Sequence, residues 1–388
     1  TTGSTLTAVA GNGYPIDTSS NACTITLPAS ASVGDEIIFT DYDGTWGTNI
    51  VTIDSNGLNY QGKDDTYTIE YDTDDQVLHI VYIDTTEGWM PILDKAVTDD
   101  VPYSGNDEGI FGFGTTGSYV GMTNLVSSSG VVASDVTAVG TARRALSACE
   151  YGTDTAIFGF GNTGSNVGMT NLVSNAGVVA SDVSAVGTAR RAGAACSYGD
   201  DKGIFGFGYT DTYISMTNLV SNAGVVASDV TGVGTARANL AACEYGTDTA
   251  IFGIGWTTSA VLQSNLVSNA GVVATDVTGV GTARNGLAAC SYDGDKGIFG
   301  YGNDGSSDVS MTNLVSNAGV VAAEVTGVGT ARKQLNATQY GGNKGIFGYG
   351  YDGSNQSITN LVSNAGVVAS DTTGVGTARR ELAACSFN

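Results

Sequence analysis

Histidine, cysteine and carboxylate side chains are the residues of this chain that could carry chemistry. Among 388 residues there are one histidine, six cysteines and 38 acidic residues. The single histidine, His79, argues against a histidine-rich metal site and against a Ser-His-Asp triad. His79 also lies in a run of alternating apolar residues. We therefore expect it to be a structural or surface residue.

Two acidic runs could supply oxygen ligands to calcium: Asp41 with Asp43, and Asp72 with Asp74 and Asp75. Neither run has the full ligand spacing of a calcium loop, so solvated turns are the favoured interpretation. A carboxylate pair for glycoside hydrolysis stays open, because acids are abundant and their separation cannot be read from a sequence. The sequence predicts no catalytic residue, no metal and no cofactor.

Most of these residues belong to six near-identical repeats of about 47 residues. The repeats carry Ile-Phe-Gly beginning at Ile110, Ile157, Ile204, Ile251, Ile298 and Ile346. Such regular spacing indicates structurally equivalent modules. Each module has four short β-rich runs separated by Gly, Asn and Asp turns, which predict a four-stranded antiparallel blade.

The phase of the repeat predicts how the modules close. The repeat region begins on a second strand at Ile110, and residues 381–388 form a lone first strand. This C-terminal strand should complete the first blade and close a six-bladed β-propeller over residues 110–388. Closure removes the strand edges that an open sheet would expose.

Residues 1–97 carry no copy of the repeat and form a separate N-terminal domain. Period-two alternation in five short runs predicts an all-β sandwich or jelly-roll-like fold. The runs are 23–27, 36–39, 50–53, 67–71 and 77–82. Residues 98–109 are expected to be a linker. The predicted fold class is thus all-β in both domains.

Charge and cysteine positions limit the partners and the redox state. A net charge of -23 argues against nucleic acid or an anionic membrane as a partner, and no apolar run reaches the roughly 18 residues of a membrane span. Five cysteines occupy one position of successive repeats, where side chains point in the same rotational sense rather than at one another. We expect Cys149, Cys196, Cys243, Cys290 and Cys385 to be reduced and buried.

An acid precedes the arginine of each Gly-Thr-Ala-Arg motif by eight residues. The acids are Asp135, Asp182, Asp229, Asp276, Glu324 and Asp371, and the arginines are Arg143, Arg190, Arg237, Arg284, Arg332 and Arg379. One interpretation is a structural link between the fourth strand and the following turn. The other is that the arginines contact a ligand.

The loop between the second and third strands varies among the repeats, while the Asn-Ala-Gly turns hardly change. Its aromatic and acidic residues suit sugar stacking and hydrogen bonding. The candidate receptor contacts in this loop are Tyr119, Tyr209, Tyr213, Trp256, Asp308 and Tyr351. Neutral drift in exposed loops is the alternative explanation.

The repeat resembles the kelch-type propeller pattern. Arg-x-x-Leu-Ala-Ala-Cys is followed by Ile-Phe-Gly-x-Gly, as kelch repeats have an arginine before the innermost strand and a glycine pair after the second. Here the pair is split, as in Gly112 and Gly114, and the kelch outer-strand tryptophan is missing. The resemblance implies a divergent, kelch-like propeller whose arginines line the mouth of the ring.

The N-terminal region is similar to β-domains of bacteriophage tail fibres, particularly from marine and cyanobacterial phages. The residues that carry this similarity are 17–30, Gly34-Asp35, 41–45 and 87–89. Repeats of the Gly-Ile-Phe-Gly-Tyr-Gly and Thr-Asn-Leu-Val-Ser type, found here from residue 109 onwards, also resemble those of such phage host-recognition proteins. The resemblance implies a virion-tail, extracellular receptor-binding protein. Its expected partners are a host surface glycan or protein, other tail proteins and two further copies in a homotrimer. The alternatives are a polysaccharide-degrading tail enzyme and a cellular secreted lectin or surface-layer protein.

Overall fold

A computed structural model describes residues 3–93, 107–137, 139–184 and 186–387. The chain divides into two compact units, Thr1–Tyr103 and Ser104–Asn388. Both units are all-β, as predicted. The described residues contain no helix at all, and hence none long and apolar enough to cross a membrane. Most of the predicted 98–109 linker lies outside the described residues, although Glu108 and Gly109 already belong to a strand.

The N-terminal unit has two four-stranded sheets around one core. Its strands are β1 (Thr5–Thr7), β2 (Gly13–Ile16), β3 (Cys23–Thr26), β4 (Glu36–Asp41), β5 (Val51–Asp54), β6 (Ile69–Tyr71), β7 (Val77–Asp84) and β8 (Gly88–Leu93). The sheet orders are β1-β3-β5-β6 and β2-β4-β7-β8. Ile25 and Val51 of the first sheet share a core with Phe39 and Leu78 of the second. The predicted sandwich therefore forms.

The pairing inside this sandwich differs from a jelly roll. The pairs β1/β3, β3/β5 and β2/β4 are parallel, whereas jelly rolls are antiparallel. The reason is that β1 to β5 alternate between the two sheets, so strands two apart in sequence become neighbours running the same way. Period-two alternation located five of these strands, but alternation carries no information on pairing direction.

Among the described residues, the repeat unit has six small antiparallel sheets, five of them built from strands consecutive in the chain. Its strands are β9 (Glu108–Gly112), β10 (Thr123–Val126), β11 (Ser147–Tyr151), β12 (Thr155–Gly159), β13 (Thr170–Val173), β14 (Ala194–Tyr198), β15 (Lys202–Tyr209), β16 (Tyr213–Val220), β17 (Ala241–Tyr245), β18 (Thr249–Trp256), β19 (Ala260–Val267), β20 (Ala288–Tyr292), β21 (Lys296–Gly300), β22 (Thr312–Val315), β23 (Val321–Val325), β24 (Asn336–Tyr340), β25 (Lys344–Tyr351), β26 (Asn355–Val362) and β27 (Ala383–Phe387). The C-terminal β27 pairs with β9, with Cys385 opposite Ile110.

In the part of the chain that the structure describes, the predicted fourth strand is complete in only one sheet, β20-β21-β22-β23. In the other five sheets the fourth run makes two isolated bridges to the third strand, such as Val126 with Val132 and Thr123 with Val136. Between these bridges the Asn124 side chain donates to the carbonyl of Ala133 at 3.0 Å. A side chain thus supplies part of the pairing that a regular strand would make with its backbone.

Neighbouring sheets pack through the Ile-Phe-Gly motif. A Cβ atom at Gly253 would lie 2.6 Å from Cζ of Phe299 in the next sheet, so only glycine leaves room for that ring. The same contact recurs six times and returns from the last sheet to the first, where Gly348 faces Phe111. The spacing of Ile-Phe-Gly therefore reports a packing contact between sheets.

Cysteines of the repeats lie in the same layer between sheets, where Cys149, Cys243 and Cys290 each face a glycine of a neighbouring sheet. All six cysteines of the chain are free and buried, which confirms the prediction for the five in the repeats. A Cβ atom added at Gly297 would lie only 2.5 Å from the Sγ atom of Cys243, so the thiol fills the space that this glycine leaves. Burial raises the pKa of the Cys290 thiol to about 12, so this thiol is protonated and unreactive at neutral pH.

Candidate functional site

The six Gly-Thr-Ala-Arg arginines are buried, each with 0 to 2% of its surface exposed. Arg143 illustrates these surroundings, which differ in detail among the repeats. Its Nε donates to the carbonyl of Phe160 at 2.9 Å, and a terminal nitrogen donates to Oδ1 of Asn171 at 2.7 Å. Arg332 makes the equivalent two bonds. The Arg143 guanidinium also lies over the ring of Phe113, 4.3 Å from its centroid. Burial lowers the Arg143 pKa to about 10, which leaves it charged at neutral pH.

Burial at this depth corrects the hypothesis that these arginines contact a receptor. Side chains with almost no exposed surface offer no group to a macromolecule, so the interpretation as a structural link is the one that fits. The arginines concerned are Arg143, Arg190, Arg237, Arg284, Arg332 and Arg379.

The acidic partner of each arginine was also predicted wrongly. Arg143 lies 3.9 Å from Asp182, the acid of the following repeat, rather than beside Asp135. Asp182 also accepts hydrogen bonds from the backbone N–H and the hydroxyl of Thr141, at 3.0 and 2.6 Å. These hydrogen bonds and the arginine lower the Asp182 pKa against the opposing effect of burial.

Asp135 has the equivalent contacts at the far end of the chain. It accepts from the N–H of Thr377 at 3.0 Å and from its hydroxyl at 2.6 Å, and it lies 4.0 Å from Arg379. The acid of the first repeat is therefore joined to the motif of the last one. The same clasp that links successive repeats also links the two ends of the repeat unit.

Two residues after each of these arginines, the backbone forms a cycle of six hydrogen bonds. Each N–H donates to the equivalent carbonyl of the preceding repeat, at 2.7 to 2.9 Å, and the last bond returns to the start. The residues are Ala145, Ala192, Asn239, Gly286, Gln334 and Glu381. The five that are not glycine have φ between 51° and 56°, a conformation uncommon for such residues. Its recurrence shows that the cycle fixes the backbone there.

A cavity of about 90 Å³ is lined by the first strands of all six sheets. Much of its polar lining comes from one position of successive repeats, which supplies Glu150, Ser197, Glu244, Ser291 and Gln339. Glu150 accepts hydrogen bonds from Ser386 and, at 3.5 Å, from Ser197. Burial raises the pKa of Glu244 to about 7, and Asp200 adds to the shift while Ser197 opposes it.

The two glutamates that line this cavity, Glu150 and Glu244, were not predicted from the sequence, although the sequence contained a signal. Going along the chain, the residue after the cysteine position reads Glu150, Ser197, Glu244, Ser291, Gln339 and Ser386. A cavity this small cannot admit a sugar, since ligand pockets measure about 300 to 1,000 Å³. The pair therefore gives no support to glycoside hydrolysis.

The candidate receptor loops lie at the opposite ends of the second and third strands from the Asn-Ala-Gly turns. All six predicted contacts there are half-buried: Tyr119, Tyr209, Tyr213, Trp256, Asp308 and Tyr351. The rings of Tyr209 and Tyr213 meet edge to face at 5.3 Å. Asp308 is paired with Lys333 at 3.3 Å. These side chains are held by contacts but retain exposed surface.

The residue after each buried arginine faces these loops, which the sequence interpretation missed. Backbone bridges join Arg191 to Tyr209 and Lys333 to Tyr351. Arg144 lies over the ring of Tyr119, at 5.5 Å, and pairs with Glu381 at 3.0 Å. The signal was that this position varies among repeats, as the loops do: Arg144, Arg191, Ala238, Asn285, Lys333 and Arg380.

The predicted calcium runs do come together in the N-terminal unit. Asp41 accepts from the N–H groups of Trp46 and Asp75, both at 3.1 Å, and Asp74 accepts from Gly47 at 2.8 Å. These bonds are those of linked turns. In the part of the chain that the structure describes, no group of three or more His, Cys, Asp or Glu side chains could hold a metal ion. His79 pairs with Glu36 at 2.8 Å on the sheet.

Comparisons with known proteins give no assignment. No protein-family model matches the chain, and no curated protein matches it.

Proposed function

We propose that the six sheets form a closed, six-bladed, kelch-like β-propeller. Four features support this: β27 pairs with β9, the Asp135–Thr377 clasp joins the ends, the backbone cycle is complete, and the glycine–phenylalanine contacts return to the first sheet. The cavity between the first strands is then the central channel, narrowed at one end by the backbone cycle.

We further propose that the chain is a host-recognition protein of a phage tail, with the propeller loops binding a cell-surface glycan. The observation that carries this proposal is the contrast between the two ends of the blades. Aromatic and hydrogen-bonding side chains that vary among repeats gather at the loops between the second and third strands. Half-buried tyrosine and tryptophan rings provide rigid faces on which a sugar can stack.

The Asn-Ala-Gly turns at the other end of the blades bear on the alternative that the loops vary by neutral drift. Gly177 has a φ of 67°, and a Cβ there would meet Leu125 and Phe387 within 2.7 Å. Asn175 also donates to Asp154 at 3.2 Å. Packing therefore fixes the Asn-Ala-Gly turns. The loops between the second and third strands also include side chains held by contacts, such as Tyr209 against Tyr213, yet they differ from blade to blade.

Weak sites on one propeller would gain avidity by presentation in several copies. We propose a homotrimer assembled through the N-terminal domain, as its resemblance to tail-fibre domains implies. Linked sites raise overall affinity about 10²- to 10⁴-fold without any new contact. Sedimentation velocity of the full chain measures the oligomeric state directly. A trimer supports the proposal, and a monomer at micromolar concentration contradicts it.

A glycan array compares the full chain with its Y209A/Y213A/W256A/Y351A variant. The variant should lose glycan binding while circular dichroism shows that it stays folded, because these half-buried side chains lie outside the buried cores of the sheets. The control carries four substitutions at the opposite turns, A176S/A223S/A270S/A365S, and should bind normally. Binding that survives in the loop variant would place the receptor site elsewhere.

A further inference from the structure

Arg191 and Arg380 occupy the same position of two repeats and have the same surroundings. Arg191 donates to Oδ1 of Asn166 at 2.9 Å, and Arg380 donates to Oδ1 of Asn355 at 3.1 Å. In both cases the acceptor belongs to a loop of the preceding blade. A half-exposed guanidinium is thereby positioned at the junction of two blades, on the loop surface described above.

An aromatic ring supports each guanidinium. Arg191 lies over Tyr209 at 5.0 Å and Arg380 lies over Tyr351 at 4.3 Å. The loop of Asn166 is fixed in turn, since its amide donates to the carbonyl of Thr210 at 2.7 Å. The stacking and hydrogen bonds orient the planar group and use one of its five N–H donors, so the remaining donors can serve a ligand.

Neither guanidinium has an acidic partner. Among the described residues no carboxylate oxygen lies within 4.0 Å of Arg191 or Arg380, although the chain has 38 acids and 15 bases. Their neighbours on the same surface are paired, Arg144 with Glu381 and Lys333 with Asp308. Two oriented cations without counter-ions in so acidic a protein mark positions for an anion supplied by the ligand.

We propose that Arg191 and Arg380 bind the carboxylate or sulfate groups of an acidic polysaccharide. This inference rests on the proposed glycan-binding function and specifies its ligand class. A planar guanidinium matches a carboxylate or sulfate through two parallel hydrogen bonds, and the tyrosine beneath it offers a face for the sugar ring. Recognition here is local and does not depend on net charge, because each guanidinium is positioned for a single acidic group. Nucleic acid would require a continuous basic stripe, which two separate arginines do not make.

Matched polymers test the ligand class with the full chain. Binding is measured by biolayer interferometry to polygalacturonate and its methyl ester, and to dextran sulfate and dextran. We expect at least one acidic polymer to bind more tightly than its neutral counterpart at the same salt concentration, because only the acidic polymer supplies an anion to the two guanidinium groups. The two pairs separate carboxylate from sulfate recognition.

Variants locate the effect on the two arginines. R191Q/R380Q should weaken binding to the acidic polymer about ten- to a hundredfold, as expected for charge-assisted hydrogen bonds. R191K/R380K keeps the charge but lacks the planar fork, so its affinity should lie between the two. The control K202Q/K296Q removes the same charge from the first residues of β15 and β21, at the other end of the blades. It should bind like the wild type.

Several results would overturn the inference. Equal binding of acidic and neutral polymers, no binding of either acidic polymer, or equal losses in R191Q/R380Q and K202Q/K296Q each contradict it. If the array shows neutral glycans bound through the tyrosine loops, the proposed function stands and only the acidic ligand class fails. If the array shows no glycan bound at all, the proposed function fails as well.

Discussion

Arg143 and Arg144 are adjacent in the chain but lie in opposite environments. The first is fully buried, with hydrogen bonds to a carbonyl and to Asn171, while the side chain of the second is 36% exposed. In the sequence alone, nothing distinguishes the two positively charged side chains. Their environments differ because this segment is extended, with Arg144 bridged to Asn162, and successive side chains of an extended segment point to opposite sides.

R143M should lower the free energy of unfolding by about 3 to 5 kcal/mol, because it leaves a cluster of buried polar groups without their cation. R144M should cost only about 0 to 1 kcal/mol, as exposed ion pairs usually do. Urea denaturation followed by circular dichroism compares the two. Equal costs would mean that the buried network contributes little to stability.

The carboxyl of Glu244 should make the fold more stable in mild acid than at alkaline pH. Its folded pKa of about 7 lies above the ordinary value of 4.5. The stabilisation is therefore complete below about pH 4.5 and is lost as the pH rises through about 7. Each unit of pKa shift corresponds to about 1.4 kcal/mol, so the loss is on the order of 1 to 3 kcal/mol.

Melting temperatures of the wild type and E244Q between pH 5 and 8 measure this loss. Glutamine cannot ionise, so the difference between the two proteins should vary with pH and favour the variant at pH 8. A constant difference across this range would show that Glu244 does not titrate there. Acids whose pKa is lowered, such as Asp182, become protonated only at lower pH, so they do not affect this comparison.

At the scale of elements, the Ile-Phe-Gly strand combines sheet pairing with packing between sheets. Gly253 pairs with Ala241 in its own sheet and receives the ring of Phe299 from the next. The sequence predicts this strand because its apolar run is short and flanked by turns. The contact between sheets was not predictable, since a glycine in a strand gives no sign of which side chain fills its place.

G253A should destabilise the fold by about 1 to 3 kcal/mol, because the added methyl group overlaps the buried Phe299 ring. In an F299L background the same substitution should cost much less, since the shorter side chain leaves room. Thermal unfolding of the four proteins gives the coupling between the two positions. Identical costs in both backgrounds would show that the residues do not pack together.

For the whole molecule, the periodicity of the sequence predicted the architecture but not which repeats exchange side-chain contacts. The repeats predicted the antiparallel order of the sheets and the pairing of the C-terminal strand with the first sheet. They could not assign the partner of Arg143, because Asp135 and Asp182 occupy equivalent positions of neighbouring repeats. Only the three-dimensional arrangement, in which each acid reaches back to the preceding repeat, separates the two.

The Asp135–Thr377 clasp provides the most direct test of whether the six sheets close into one propeller. The measurement is the coupling free energy of a double-mutant cycle with D135N and T377V, from urea denaturation. The matched cycle, D182N with T141V, probes the same clasp between successive repeats. Closure predicts similar couplings of about 0.5 to 3 kcal/mol in both cycles. A coupling near zero for Asp135 and Thr377, with a normal value for Asp182 and Thr141, would contradict a closed ring.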